Sequence, residues 1–156
     1  MIRFIKLRFI LMAISCTYLF LPSALAGGQV LTDIKVIHAS SGGSGRIEQL
    51  DPGLKGIIHE LKSVFKYTSY QLLKDQRFIL NFNQEGRVSL PGNRTLLILP
   101  SAPEGKRIRY QINIQKNDST IFKTQVMLKN ASSITIGGPE LDKGVLLINI
   151  SGVLQQ

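Results

Sequence analysis

The ten residues RIRYQINIQK, Arg107 to Lys116, alternate without a fault: Ile108, Tyr110, Ile112 and Ile114 are separated by Arg109, Gln111 and Asn113, with Arg107 and Gln115 outside them. Successive side chains of an extended chain point to opposite sides, so a period of two divides the segment into an apolar face and a polar face. A helix places its apolar residues every three to four positions and does not tolerate this pattern. A chain built around it must cover the apolar face with a second layer and leave the other face to water or to a partner.

The same period runs through most of the chain. Asn117-Asp118 turns into STIFKTQVMLK, Ser119 to Lys129, where Phe122, Thr124, Val126 and Leu128 oppose Lys123, Gln125, Met127 and Lys129. Upstream, VLTDIKVIHAS (Val30 to Ser40) reads as a strand, and KYTSYQLLK (Lys66 to Lys74) and QRFILNF (Gln76 to Phe82) read as two more. RVSLP and RTLLILP follow, joined by Gly92-Asn93 as a two-residue hairpin turn, with Pro91 and Pro100 closing them. SITIGG and GVLLINISG are the last two, separated by Pro139 to Lys143. One stretch has helical spacing: Asp51 as cap, Pro52 at the first position, then Leu54, Ile57, Ile58, Leu61 and Phe65, predicting a helix over Pro52 to Val64. Phe65, Tyr67 and Tyr70 are expected to be core where that helix meets the sheet. The fold expected is mainly β, of α+β type. It is an antiparallel β-sandwich or partly open barrel of about nine strands, with one amphipathic helix after the first strand.

The first 26 residues have a different physical character. Arg3, Lys6 and Arg8 precede an apolar run from Phe9 to Leu21, Pro22 ends it, and Ala24-Leu25-Ala26 offers small side chains where a signal peptidase needs them. The run is too short to span a bilayer, which takes about 20 residues. Cys16 lies inside the run, without the leucine three residues ahead that a lipid-attachment signal carries, and reads as a small apolar residue. The expected organisation is a cleaved secretory signal, 1–26, followed by a single β-rich domain, 27–156, destined for the periplasm or the extracellular space and not integral to the membrane after cleavage. That domain contains no cysteine, so neither a disulfide nor a thiolate enters its chemistry. The cysteine-free body suits a bacterial envelope, where the Asn-x-Ser/Thr triplets at Asn93, Asn117, Asn130 and Asn149 carry no sugar.

Sixteen of the 19 basic residues and all ten acids lie beyond the leader, which leaves a net charge of +6. That balance favours anionic envelope surfaces, and export argues against nucleic acid. Catalytic patterns are thin. His38 and His59 are the only histidines and do not share a helical face, so no metal centre or cofactor is expected. GGSGR, Gly42 to Arg46, resembles a nucleophile elbow around Ser44 only until Arg46 stands where glycine is needed. The same loop lacks the third glycine and the Gly-Lys-Ser/Thr of a phosphate cradle. Among the acids, Asp75, Glu85, Asp118 and Asp142 are placed at turns and Glu60 on an exposed helix side.

What remains is the polar face of the two central strands. Arg107, Arg109, Gln111, Lys123 and Gln125 are expected to form a basic, amide-rich surface, with Asn113 and Gln115 among them and Lys106, Lys116 and Lys129 at its margins. Guanidinium and ammonium groups grip phosphate, sulfate or carboxylate, and amides serve hydroxyls. The functional expectation is an exported, non-catalytic module that binds a partner protein or an anionic envelope polymer or lipid surface. The alternative is a small envelope hydrolase acting on glycan, peptide or ester, with His59 or Glu60 as its base.

Overall fold

A computed structural model describes residues 28–41 and 52–155. The leader, the Gly42–Arg46 loop and the helix cap expected at Asp51 lie outside the described residues. Among the described residues eight strands form two four-stranded antiparallel sheets, giving a sandwich that does not close into a barrel. One sheet has the order β2-β1-β8-β7 and is made of β1 (Gln29–Ser40), β2 (Ser69–Asn81), β7 (Ser132–Leu141) and β8 (Gly144–Gln155). The other, in the order β3-β4-β5-β6, holds β3 (Gly86–Leu90), β4 (Arg94–Glu104), β5 (Arg107–Lys116) and β6 (Ser119–Lys129). Strand neighbours in space are neighbours in sequence, apart from the pairing of β1 with β8. The chain is therefore an up-and-down meander flattened into two layers, with seams where β2 passes to β3 and β6 to β7.

The alternation decides which side of each strand is buried. Ile108, Tyr110, Ile112 and Ile114 of β5 are all fully enclosed, against Val30, Ile34 and Val36 of β1 and Leu146, Ile148 and Ile150 of β8. Tyr110 reaches across this core. Its hydroxyl lies 2.9 Å from Thr32 Oγ1 on β1, and both residues are completely buried. Gly152 of β8 stands opposite Thr32 in the ladder, and a methyl group there would meet the Tyr110 hydroxyl at 2.5 Å. Glycine is what lets the phenol approach the other sheet this closely.

A second, smaller core covers one end of the outer side of the β2-β1-β8-β7 sheet. Ile37, Ala39, Tyr70 and Leu147 meet Leu54 and Leu61 of the segment that joins β1 to β2. That segment was expected to be one helix over Pro52 to Val64. It is instead a 3-10 turn, Pro52–Leu54, followed after Lys55-Gly56-Ile57 by a short helix α1, Ile58–Val64. Glycine in a helix interior costs about 1 kcal/mol, and here Gly53 and Gly56 fall within five residues of the start. Hydrogen bonds spanning three residues, from Lys55 N–H to Pro52 O and from Ile57 N–H to Leu54 O, tighten the chain before α1 begins. Tyr70 fastens the other end, donating its hydroxyl to Phe65 O at 2.6 Å with Leu61 O 3.2 Å away. The aromatic cluster is core, as expected, with Phe65 and Tyr67 partly buried beside Tyr70.

Four expectations about strand ends need correction, one of them at Pro139, which lies inside β7 rather than between β7 and β8. The segments from Lys66 to Lys74 and from Gln76 to Phe82 are one strand, β2, so the count is eight. Asp75 does not turn the chain: it sits opposite Lys35 and pairs with it, beside a second cross-strand pair, Asp33 with Arg77. The irregularity that looked like a break is a bulge at Leu73, because Val36 faces Lys74 while Ile37 faces Leu72. Leu90 pairs with Arg94, so the β3–β4 loop has three residues, Pro91-Gly92-Asn93, with Gly92 and Asn93 at positive φ. Pro100 does not end β4, which continues to Glu104. Its missing N–H is harmless because β3 stops pairing at Ile98, while its carbonyl accepts Asn83 N–H at 2.7 Å.

Two stability measurements follow. Burial pushes the Tyr110 phenol up to about 12 from 10, a raising that the bond to Thr32 partly offsets and the charge of Asp33 adds to. The neutral phenol is the form the fold favours, so this contribution is complete below pH 10 and is lost as pH rises from 10 to 12. Chemical denaturation across that window will show the wild type losing on the order of 2–3 kcal/mol more than Tyr110→Phe. At neutral pH, Gly152→Ala will destabilise by roughly 1–3 kcal/mol, and by less in a Tyr110→Phe background that lacks the clashing oxygen.

Candidate functional site

The β5–β6 hairpin places each expected residue. Asn117 and Asp118 both take positive φ, which suits the tight turn, and Lys116 pairs with Ser119 across it. After one irregularity beyond Ile114 the register runs Asn113 with Lys123, Gln111 with Gln125, Arg109 with Met127 and Arg107 with Lys129. Directly paired residues share a face. Because Ile108, Tyr110, Ile112 and Ile114 all point into the core, those eight side chains share the outer side of the sheet.

The arrangement is a stripe rather than a pocket. Six residues of extended chain separate Arg107 from Asn113, so the Arg107/Lys129 end lies roughly 20 Å from Lys123. The amides of Gln111 and Gln125 occupy the interval. A shallow depression of about 420 Å³ opens there, lined by Gln111, Lys123, Thr124 and Gln125. Arg107 and Arg109 do not line it. Arg109 has an intramolecular partner, since its guanidinium binds the carboxylate of Glu104 where the β4–β5 turn brings the two together. Among the described residues, Arg107, Lys123 and Lys129 form no ion pair. Asn113 Oδ1 is buried with no hydrogen-bond partner among the described residues.

Two contributors escaped the sequence reading. Thr124 belongs to the inward set, yet it lines the depression because β6 is the last strand of its sheet and its flank is open. Glu104 could have been noticed from EGKRIR, where a carboxylate precedes the arginines by a turn.

The residues considered for catalysis do not gather here. His59 and Glu60 are both exposed on α1, which packs outside the other sheet, so the thickness of the sandwich separates them from the stripe. His38 is half-buried on β1, with Nε2 3.2 Å from Leu141 O. Among the described residues no three His, Cys, Asp or Glu side chains are close enough to hold a metal. Ser44 lies outside the described residues. Among the described residues no helix is long and apolar enough to cross a membrane. Comparison with protein-family models, curated proteins and solved structures gives no match.

The Glu104–Arg109 pair sets up a measurable consequence. Both groups are well exposed, so the pair adds little stability, typically under 1 kcal/mol. Glu104→Gln will leave the thermal midpoint nearly unchanged while freeing one guanidinium on the stripe. At low salt its retention on an anionic column will increase, and the difference will shrink as salt is raised.

Proposed function

We propose that the chain is exported to the periplasm or cell exterior and works by contact, as a non-catalytic module that binds an anionic partner of the cell envelope along the outer face of β5 and β6. The observation that carries this reading is the register Asn113–Lys123, Gln111–Gln125, Arg107–Lys129, which lines up cations and amides on one face beside a depression. Carboxylate, phosphate or sulfate groups spaced along an extended partner would meet cations at both ends of the stripe and neutral donors between them. A single small anion has less to gain, because the charges do not converge on one point. Electrostatic attraction of this kind acts chiefly on encounter and specificity and is screened by salt.

The test is binding to polygalacturonate and to vesicles containing phosphatidylglycerol, each at low and high salt. The wild type will bind at least one of the two, and the Arg107→Glu, Arg109→Glu, Lys123→Glu triple variant will lose binding by roughly tenfold or more, with an unchanged thermal midpoint. Equal binding by the two proteins would reject the stripe as the contact surface.

A further inference from the structure

Among the described residues the sandwich has four edge strands, β2 and β7 on one sheet and β3 and β6 on the other, and they are not equivalent. Unpaired N–H and C=O groups along an edge invite another strand, and natural edges carry features that prevent it. β3 is only five residues long. β2 is bulged at Leu73 and carries charges of both signs, with Lys74, Asp75 and Arg77 in close succession. β7 loses register between Gly137 and Glu140, around Gly138 and Pro139. β6 skips Ile121 near its start and then keeps an unbroken ladder from Phe122 to Lys129, with neither glycine nor proline and, unlike β2, no acidic residue.

The side chains on β6 specify what would pair with it. Inward, Phe122 and Val126 are only partly buried, and across the β6–β7 seam Ile134 and Ile136 are in the same condition. Outward stand Lys123, Gln125, Met127 and Lys129, with Arg107 behind them on β5. The depression follows this edge, being lined by the consecutive residues Lys123, Thr124 and Gln125. We infer that β6 is the docking edge for an extended polypeptide of alternating apolar and acidic residues, which adds to the sheet as a fifth strand. Its apolar residues cover Phe122, Val126 and the seam, and its carboxylates lie along the stripe. This rests on the reading of the β5–β6 face as the binding surface and names the partner as a peptide chain. A second copy of the protein is a poor occupant: antiparallel pairing of two β6 strands centred on Val126 would set Lys123 of one against Lys129 of the other.

The experiment uses the purified protein and four probes. They are a peptide of about nine residues alternating valine and glutamate, the same peptide N-methylated on the residues whose N–H would face β6, a valine–lysine counterpart, and polygalacturonate. Placing the lesion in the ligand leaves the fold of the protein untouched. The inference expects the valine–glutamate peptide to bind, N-methylation to weaken it by roughly tenfold or more, the lysine peptide not to bind, and amide exchange from Phe122 to Leu128 to slow on binding. Equal binding of the methylated and unmethylated peptides would overturn strand addition, as would binding of polygalacturonate alone. If that polygalacturonate binding is lost in Lys123→Glu, the face remains a binding surface. No binding by any of these probes would overturn the inference, and no binding to phosphatidylglycerol vesicles either would remove both readings.

Discussion

The hydrogen bond between Tyr110 and Thr32 is the point on which the sandwich is registered. Two antiparallel sheets covered in leucine and isoleucine can slide over one another at little cost, because apolar contact has no direction. A phenol that must find one hydroxyl removes that freedom. Buried without a partner, either oxygen would cost about 1–3 kcal/mol, and the two satisfy each other where Gly152 makes room for the phenol. With Tyr110 fixed inward, the period of two leaves no choice for its neighbours: Arg109 and Gln111 must face out. The candidate site is the obligatory reverse of the core.

This explains why the stripe was legible from the residues. Its members are set by alternation on two strands and by a two-residue turn at Asn117-Asp118, all local features with strong sequence signals. The parts that were misread depend on distant partners. Asp75 resembles a turn residue until Lys35 is found opposite it on β1. Pro100 resembles a strand end until the short reach of β3 leaves no strand carbonyl waiting for the N–H that proline lacks. The helix was overextended because the spacing of Leu54, Ile57, Ile58 and Leu61 is helical, whereas Gly53 and Gly56 oppose helix at the same positions. Leu54 is buried either way, so packing does not require the regular form.

Edges were the least legible feature. Sequence shows which strands alternate but not which strand is last in its sheet, and only the final position of β6 turns Thr124 from a core residue into part of a depression. The same position leaves Phe122 and Val126 half covered at a seam whose other side carries Ile134 and Ile136. The molecule thus presents its cations and its incompletely buried apolar groups along one line, while Glu104 moderates the charge by holding Arg109.

The most direct test of this account is a residue-by-residue map of amide chemical shifts while polygalacturonate or an acidic peptide is titrated in. The account predicts that the perturbed amides form one continuous track through Arg107, Gln111, Lys123 and Gln125, with α1 and the outer side of the β2-β1-β8-β7 sheet unmoved. A track centred on His59 and Glu60, or shifts scattered over every lysine, would contradict it.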